Sequence, residues 1–305
     1  MDTVIHDRYV SRTERQAGMV MREEPVVYGN GAYAQGLTKE QLAQYQQDGF
    51  LILHELLDPQ EVQAYLDQVQ ELGKRQDLKG RAELVTEPND AALRSLFAVH
   101  QFSPLFKDLL RDPRLLDVAR QILGSEVYAH QSRVNYKPGF KGEEFYWHSD
   151  FETWHVEDGM PAMRALSCSI LLTDNDASNG PLMLVPGSHR TFLVCPGKTP
   201  DNHYKHSLRK QEVGVPDSFS LSLMIEECGG VEVVEAKAGS VIFFDCNTMH
   251  GSASNISPWP RANAFFVYNS VENTLEAPKY GLEPRPEYLA HRQDTAALTP
   301  VTARK

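Results

Sequence analysis

The feature that most constrains this chain is a change of rhythm near residue 126. Beyond it, apolar residues come in short runs broken by Gly, Pro and Asn, which is the punctuation of strands. Candidate strands cover 126–137, 144–149, 163–173, 182–186, 231–236, 240–246 and 261–271. Before the change the signals are helical. Thr38 and Gln41 form a capping box, Leu42 and Tyr45 share a face, and Gly49 ends the helix ahead of a short buried strand, 50–53. Asp58-Pro59-Gln60-Glu61 starts a second helix with an apolar stripe of Val62, Tyr65, Leu66 and Val69, and a third is expected over 113–123, closed by Gly124. Strands that follow a helical opening predict a mainly β chain with flanking α-helices, built on a double-stranded β-helix core of the jelly-roll or cupin-like kind.

No repeat, low-complexity tract or linker divides the chain, so residues 1–305 read as a single domain. Residues 1–125 form a mainly helical N-terminal wrap, and 126–275 form the core. Within the core, 187–230 is polar and weakly periodic, an insertion suited to act as a lid, with a surface excursion of no role left open beside it. The formal net charge of −11 excludes a basic nucleic-acid-binding surface. Cys168, Cys195, Cys228 and Cys246 lie far apart with no CxxC pair, which fits reduced thiols in a cytoplasmic protein. The opening MDTVIHDRYVSRTERQ lacks an apolar signal core, and no apolar run is long enough to span a bilayer, so no membrane partner is expected.

The informative stretch is Phe145-Tyr146-Trp147-His148-Ser149-Asp150. On a strand, residues two apart point to one side, so His148 and Asp150 can meet one ion, with His250 as third ligand after the apolar run 241–245. Two imidazoles and a carboxylate on one face make the facial triad of non-haem iron(II) oxygenases, which leaves positions for a chelating co-substrate and O2. HxD by itself is a weak pattern, but three features support it. Arg261, Asn263 and Phe265 share one strand face, and an inward Arg demands a carboxylate partner such as the distal end of 2-oxoglutarate. Gln131, Arg133 and Asn135 make one face of the 126–137 strand polar, while Ala165, Ser167 and Ser169 make one face of the 163–173 strand small. A plain core would fill those positions with Leu, Ile and Val; these leave room for a ligand. Phe145, Trp154, Phe244 and Phe265 surround the triad and suit a flat or cationic substrate. His155 reads as a surface histidine and His189 as a turn residue. HExxH, GxSxG and a phosphate-binding Gly-rich loop are all missing from the sequence.

The block running from Phe145 through His155, Glu157-Asp158-Gly159-Met160-Pro161, Met163-Arg164-Ala165 and Leu172-Thr173-Asp174-Asn175 resembles the signature of the ectoine hydroxylases, a branch of the phytanoyl-CoA dioxygenase-like enzymes. The likeness extends over roughly residues 38–294, with Tyr45–Phe50, Gly180-Pro181-Leu182 and Pro186–His189 similar to the wider superfamily. Ala162 departs from it, standing where that family usually has Arg. The resemblance implies Fe(II) at His148, Asp150 and His250, and 2-oxoglutarate near Asn135, Phe145, Ser167, Ser252 and Arg261. It implies a substrate pocket of Gln131, Trp154, Phe244, Asn263 and Phe265 for ectoine, O2-dependent hydroxylation to 5-hydroxyectoine with release of succinate and CO2, and a homodimer. Two further readings stay open at this stage: the same chemistry on another small amine or amino acid, and a non-catalytic metal-binding jelly roll acting as a sensor.

Overall fold

The computed structural model describes residues 7–13, 17–29, 31–33, 36–86, 93–207 and 213–301. In chain order the N-terminal elements are β1 (Gly18–Met21), α1 (Lys39–Asp48), β2 (Phe50–Leu53), α2 (Pro59–Lys74), β3 (Leu84–Thr86), β4 (Leu93–Phe97), α3 (Val99–Phe102), α4 (Pro104–Leu110) and α5 (Pro113–Leu123). There follow β5 (Val127–Lys137), β6 (Phe145–His148), α6 (Asp150–Asp158), β7 (Ala165–Leu171), β8 (Leu182–Leu184) and β9 (Thr191–Val194). The chain continues with α7 (Tyr204–Ser207), α8 (Ser218–Glu227), β10 (Glu232–Val233), β11 (Val241–Asp245), β12 (His250–Ser252) and β13 (Arg261–Ser270).

The helix ends follow their local chemistry. Thr38 and Gln41 close the capping box of α1, and Gly49 ends it in the left-handed region at φ 79°. The Asp58 carboxylate accepts the first free amides of α2, with Pro59 behind it where no amide hydrogen is needed. α5 starts on Asp112 and stops at a left-handed Gly124.

The strands assemble into an antiparallel seven-stranded sheet, in the order β2-β11-β7-β13-β5-β4-β3, and a four-stranded sheet, β10-β8-β12-β6. β1 pairs with β9 as a separate ribbon. Alternation sorts the large sheet into two faces. Ala262, Ala264, Phe266 and Tyr268 of β13 join Leu166, Cys168 and Ile170 of β7 in one core with the apolar sides of α2, α4 and α5. Fully burying a side chain such as Phe266 contributes on the order of 1.5–3 kcal/mol. On the opposite face Phe265, Val267, Ile242 and Phe244 meet Leu182 and Leu184 of the small sheet in a second core. Neither sheet closes into a barrel. The two open sheets face each other as in a jelly roll, and the gap between them is where a site can form.

Several elements were not evident in the sequence. β3 and β4 extend the large sheet from within the stretch expected to be mainly helical, because their pairing partner, β5, lies outside any local window. The 187–230 insertion holds β9, α7 and α8; residues 208–212 of it lie outside the described residues. α8 is capped by Asp217, whose carboxylate accepts the Phe219 and Ser220 amides, and it buries only Ser220 and Met224, too few positions for a legible stripe.

Candidate metal centre and cofactor pocket

His148 closes β6 and His250 opens β12, and the two are register partners in adjacent strands. Their rings stand 4.2 Å apart. Asp150 arrives by a different route from the one the HxD spacing suggests. The strand stops at His148, Ser149 caps a helix with its Oγ accepting from the Glu152 amide, and Asp150 is the first residue of α6. The turn, not strand alternation, brings the carboxylate back. Asp150 Oδ1 lies 3.8 Å from His148 Nε2 and 3.9 Å from His250 Nε2, and the three ligand atoms all fall within 4.8 Å of one another.

The surroundings prepare these atoms for a divalent ion. His148 Nδ1 donates to the Tyr146 carbonyl at 2.7 Å and His250 Nδ1 donates to the Thr248 carbonyl at 2.9 Å. Each ring therefore turns the lone pair of Nε2 toward Asp150. Burial, aided by the neighbouring His250, pushes the His148 pKa down to about 3, so the ring is neutral. The Ser167 hydroxyl donates to Asp150 Oδ2 at 2.9 Å and leaves Oδ1 for the metal. Two neutral imidazoles, one carboxylate and an open side toward a cavity are the donor set of a facial-triad iron(II) site.

The cavity beyond the triad is bounded by β5, β6, β12 and β13 and by α6. Arg261, the first residue of β13, is buried there; burial pushes its pKa down to about 10, and its Nε has no hydrogen-bond partner among the described residues. A guanidinium in that condition is costly unless an anion enters. A planar carboxylate matches its fork of donors, so a dicarboxylic acid that chelates the metal at one end and meets Arg261 at the other fits the residues present. Asn135, Phe145 and Ser252 line the same cavity. Asn135 Oδ1 accepts from the Ser95 hydroxyl at 2.9 Å, and Ser252 Oγ accepts from Lys137 Nζ at 3.0 Å.

Gln131, Trp154, Asn263 and Phe265 also face the cavity. Asn263 Nδ2 donates to Ser169 Oγ at 3.0 Å, while its buried Oδ1 has no partner among the described residues. Ser167 and Phe244 are placed elsewhere. Ser167 sits behind Asp150, its hydroxyl committed to the carboxylate. Phe244 packs behind the cavity wall, 4.9 Å from the His250 ring and 5.8 Å from Phe265, and stiffens both. His155 is not a surface histidine: it is buried on α6, with Nδ1 donating to the Met160 carbonyl and Nε2 at 2.9 Å from Asp7 Oδ1. His189 is buried in a tight turn against Gly49. Ala162 lies in the bend before β7, where Asn273 bonds both its amide and its carbonyl.

Sequence reasoning passed over Arg133, which it placed on the polar face of β5 without a role. Its guanidinium lies 4.0 Å over the Phe265 ring and bonds the Gln131 side-chain oxygen, with no carboxylate in ion-pair reach among the described residues. Burial pushes its pKa down to about 10 despite Asp150 nearby. Arg133 pairs with Phe265 and Lys137 with Arg261, so the backbones of the two arginines lie four residues, about 13 Å, apart along β5 and β13. The available signal was a second inward-facing Arg on a strand whose neighbours are apolar.

Fold and site together define a non-haem iron(II), 2-oxoglutarate-dependent dioxygenase. The chain belongs to the phytanoyl-CoA dioxygenase family, whose sequence profile matches residues 45–263. It is 61% identical over 299 residues to the ectoine dioxygenase of Bordetella bronchiseptica, covering 98% of this chain and 97% of that protein. The crystal structure of EctD from S. alaskensis with 2-oxoglutarate and 5-hydroxyectoine superposes with a TM-score of 0.87 at 47% identity, covering 97% of this chain and 98% of that one. The carbocyclase SnoK from nogalamycin biosynthesis, 20% identical with a TM-score of 0.61, shares the fold.

Proposed function

We propose that this protein hydroxylates ectoine to 5-hydroxyectoine, consuming 2-oxoglutarate and O2 and releasing succinate and CO2. The observation that carries this reading is one cavity holding the His148–Asp150–His250 triad together with two guanidiniums, those of buried Arg261 and half-buried Arg133, that lack carboxylate partners among the described residues. Iron(II) with 2-oxoglutarate supplies the oxidising chemistry. The chain supplies placement and exclusion of water.

His148, Asp150 and His250 hold the metal. Arg261 takes the far carboxylate of 2-oxoglutarate, with Asn135, Phe145 and Ser252 along its length, and Ser167 assists through Asp150. Ectoine carries a carboxylate and a delocalised cyclic amidinium. Arg133 receives the carboxylate, oriented by Gln131. The face of Trp154 suits the amidinium by stacking and cation–π attraction, Phe265 borders the ring beneath the Arg133 guanidinium, Phe244 backs that wall, and Asn263 Oδ1 accepts a ring N–H. Holding the ring from both ends presents one carbon to the metal, which is the source of positional selectivity.

The deciding experiment reconstitutes the protein anaerobically with Fe(II), adds O2, 2-oxoglutarate and ectoine, and follows succinate and hydroxyectoine together. Equal amounts of the two products are expected. Succinate without hydroxyectoine would overturn the substrate, and neither product with iron bound would overturn the enzymatic reading.

We further place the protein in the cytoplasm as a homodimer. Its four cysteines are all free, as a reducing compartment would keep them. Among the described residues no helix is long and apolar enough to cross a membrane. Exposed Phe140, Ile256 and Trp259 cluster on two loops joined by the Phe140 amide and Ser257 carbonyl, an apolar surface that suits a second copy. Light scattering on the purified protein should return twice the chain mass.

A further inference from the structure

A strap from the C-terminal part of the chain, residues 285–292, runs along the substrate side of the cavity and is tied to it at several points, among them the His291 amide to the His130 carbonyl at 3.0 Å and Arg292 NH2 to the Asp158 carbonyl at 3.1 Å. At one end Arg285 donates from Nε and NH2 to both oxygens of Asp158, at 2.7 and 2.6 Å. Both side chains are buried, and Asp158 is the last residue of the helix that begins with Asp150 and carries Trp154. Burial opposes ionisation of Asp158, but the guanidinium outweighs it and holds the carboxyl below its usual range. His130, also fully buried, lies 3.6 Å from Asp158 and stands edge-on to Trp154 with ring centres 5.0 Å apart. The position of Asp158 is thus passed to the back of the aromatic wall.

At the other end the Leu289 carbonyl accepts from Gln131 Nε2 at 2.7 Å, and the Gln131 oxygen accepts from Arg133. Both ends of the Gln131 amide are thus engaged, and through its oxygen it orients Arg133. Among the described residues, neither Arg285 nor Leu289 hydrogen-bonds or ion-pairs with His148, His250 or Arg261. The strap therefore touches the substrate side of the site and not the co-substrate side.

We propose that Arg285 is a positioning residue for the substrate: by clamping the strap to Asp158 it holds Trp154 and, through Leu289 and Gln131, Arg133 in register with the metal. This rests on the substrate reading given above. A guanidinium–carboxylate fork fixes both distance and angle, which a single bond does not. Removing it leaves a buried carboxylate without its guanidinium and releases the Arg285 end of the strap, while the His291 and Arg292 bonds still hold the far end.

The test uses the full chain loaded with iron, comparing wild type, Arg285→Gln and the double variant Arg285→Gln/Asp158→Asn. Three readouts are taken: KM for ectoine and for 2-oxoglutarate, the succinate to hydroxyectoine ratio, and ectoine affinity by anaerobic calorimetric titration. In Arg285→Gln the KM and Kd for ectoine should rise about tenfold or more, as slight misplacement of a reacting group does, with the 2-oxoglutarate KM within about twofold of wild type. Succinate should then exceed hydroxyectoine. The double variant restores a neutral amide pair and should recover most of the ectoine affinity. A fall in melting temperature with both KM values and the product ratio unchanged would overturn the proposal and leave Arg285 a purely structural residue. Should Arg285→Gln fail to fold, Arg285→Lys keeps one of the two bonds and is expected to show the same split in reduced measure; an unsplit profile there is equally fatal. Wild type run alongside separates the two ideas, since no hydroxyectoine from wild type refutes the substrate, whereas a normal wild type with an unaltered Arg285→Gln refutes the strap.

Discussion

At the scale of single residues, the metal centre shows how few atoms are free to vary. Each ligand has one committed atom and one available: the Nδ1 atoms of His148 and His250 are spent on backbone carbonyls, and Asp150 Oδ2 on Ser167. Asp150→Ala removes the only anionic ligand and should abolish both iron retention and turnover. Ser167→Ala is the more informative change. It deletes one hydroxyl, leaves all three ligands, and frees the Asp150 carboxylate to rotate. Loss of such an outer partner typically costs about 10–100-fold in metal affinity, to be read by competitive Fe(II) titration. Wild-type affinity in that variant would show that α6 alone fixes the carboxylate.

Among the elements, the turn from β6 into α6 and the junction of α1 with β2 set the site most directly. The first converts a strand into a helix between two ligands. The second places Gly49 where the chain has no room for a side chain. Gly49 has φ 79°, and a Cβ built on it would fall 2.3 Å from His189 Nδ1 and 2.9 Å from Thr248 Oγ1. Thr248 also donates to the Gly49 carbonyl and is two residues before His250. Gly49→Ala should therefore destabilise the fold by roughly 2 kcal/mol or more, combining left-handed strain with overpacking, measured by denaturant titration. It should also weaken iron binding through the displaced 248–250 segment. His189 itself is held neutral: burial outweighs nearby Asp245 and pushes its pKa down to about 4.

For the whole molecule, the two cores share the large sheet, and segments from near both ends of the chain grip α6. Arg12 bonds Glu152 and Glu157 from one side while Arg285 bonds Asp158 from the other. On these grounds residues 1–305 are proposed to act as one domain, unfolding in one calorimetric transition. His189 and His100 are both depressed to about 4 by burial. Above the unfolded value of about 6.5 neither state binds the proton, and their contribution is complete. As pH falls from there to about 4 the unfolded chain takes up protons that the native one refuses, so stability declines, by on the order of 3 kcal/mol for each group. His189→Gln should flatten this acid limb by about one proton in the pH dependence of melting; an unchanged slope would show that His189 titrates normally.

What the sequence determined by itself was everything carried by local chemistry. Asp58-Pro59 and Thr38–Gln41 set helix starts because the free amides they satisfy lie within one turn. The alternation on β5, β7 and β13 set which face is core and which is cavity, because a two-residue period survives in any sheet. The ligand types of His148, Asp150 and His250 and the inward charge of Arg261 were legible for the same reason. The tertiary structure decided what depends on distant partners. β12, a three-residue strand reading His-Gly-Ser, exists only because β6 and β8 flank it. Whether Ser167 touches a ligand or a metal ligand, and whether Phe244 lines the cavity or backs it, turned on a few ångströms of packing. The role proposed for Arg133 rests on the assembled cavity, which offers it no carboxylate among the described residues. Burial and pairing are properties of the assembled sheets, and no local window contains them.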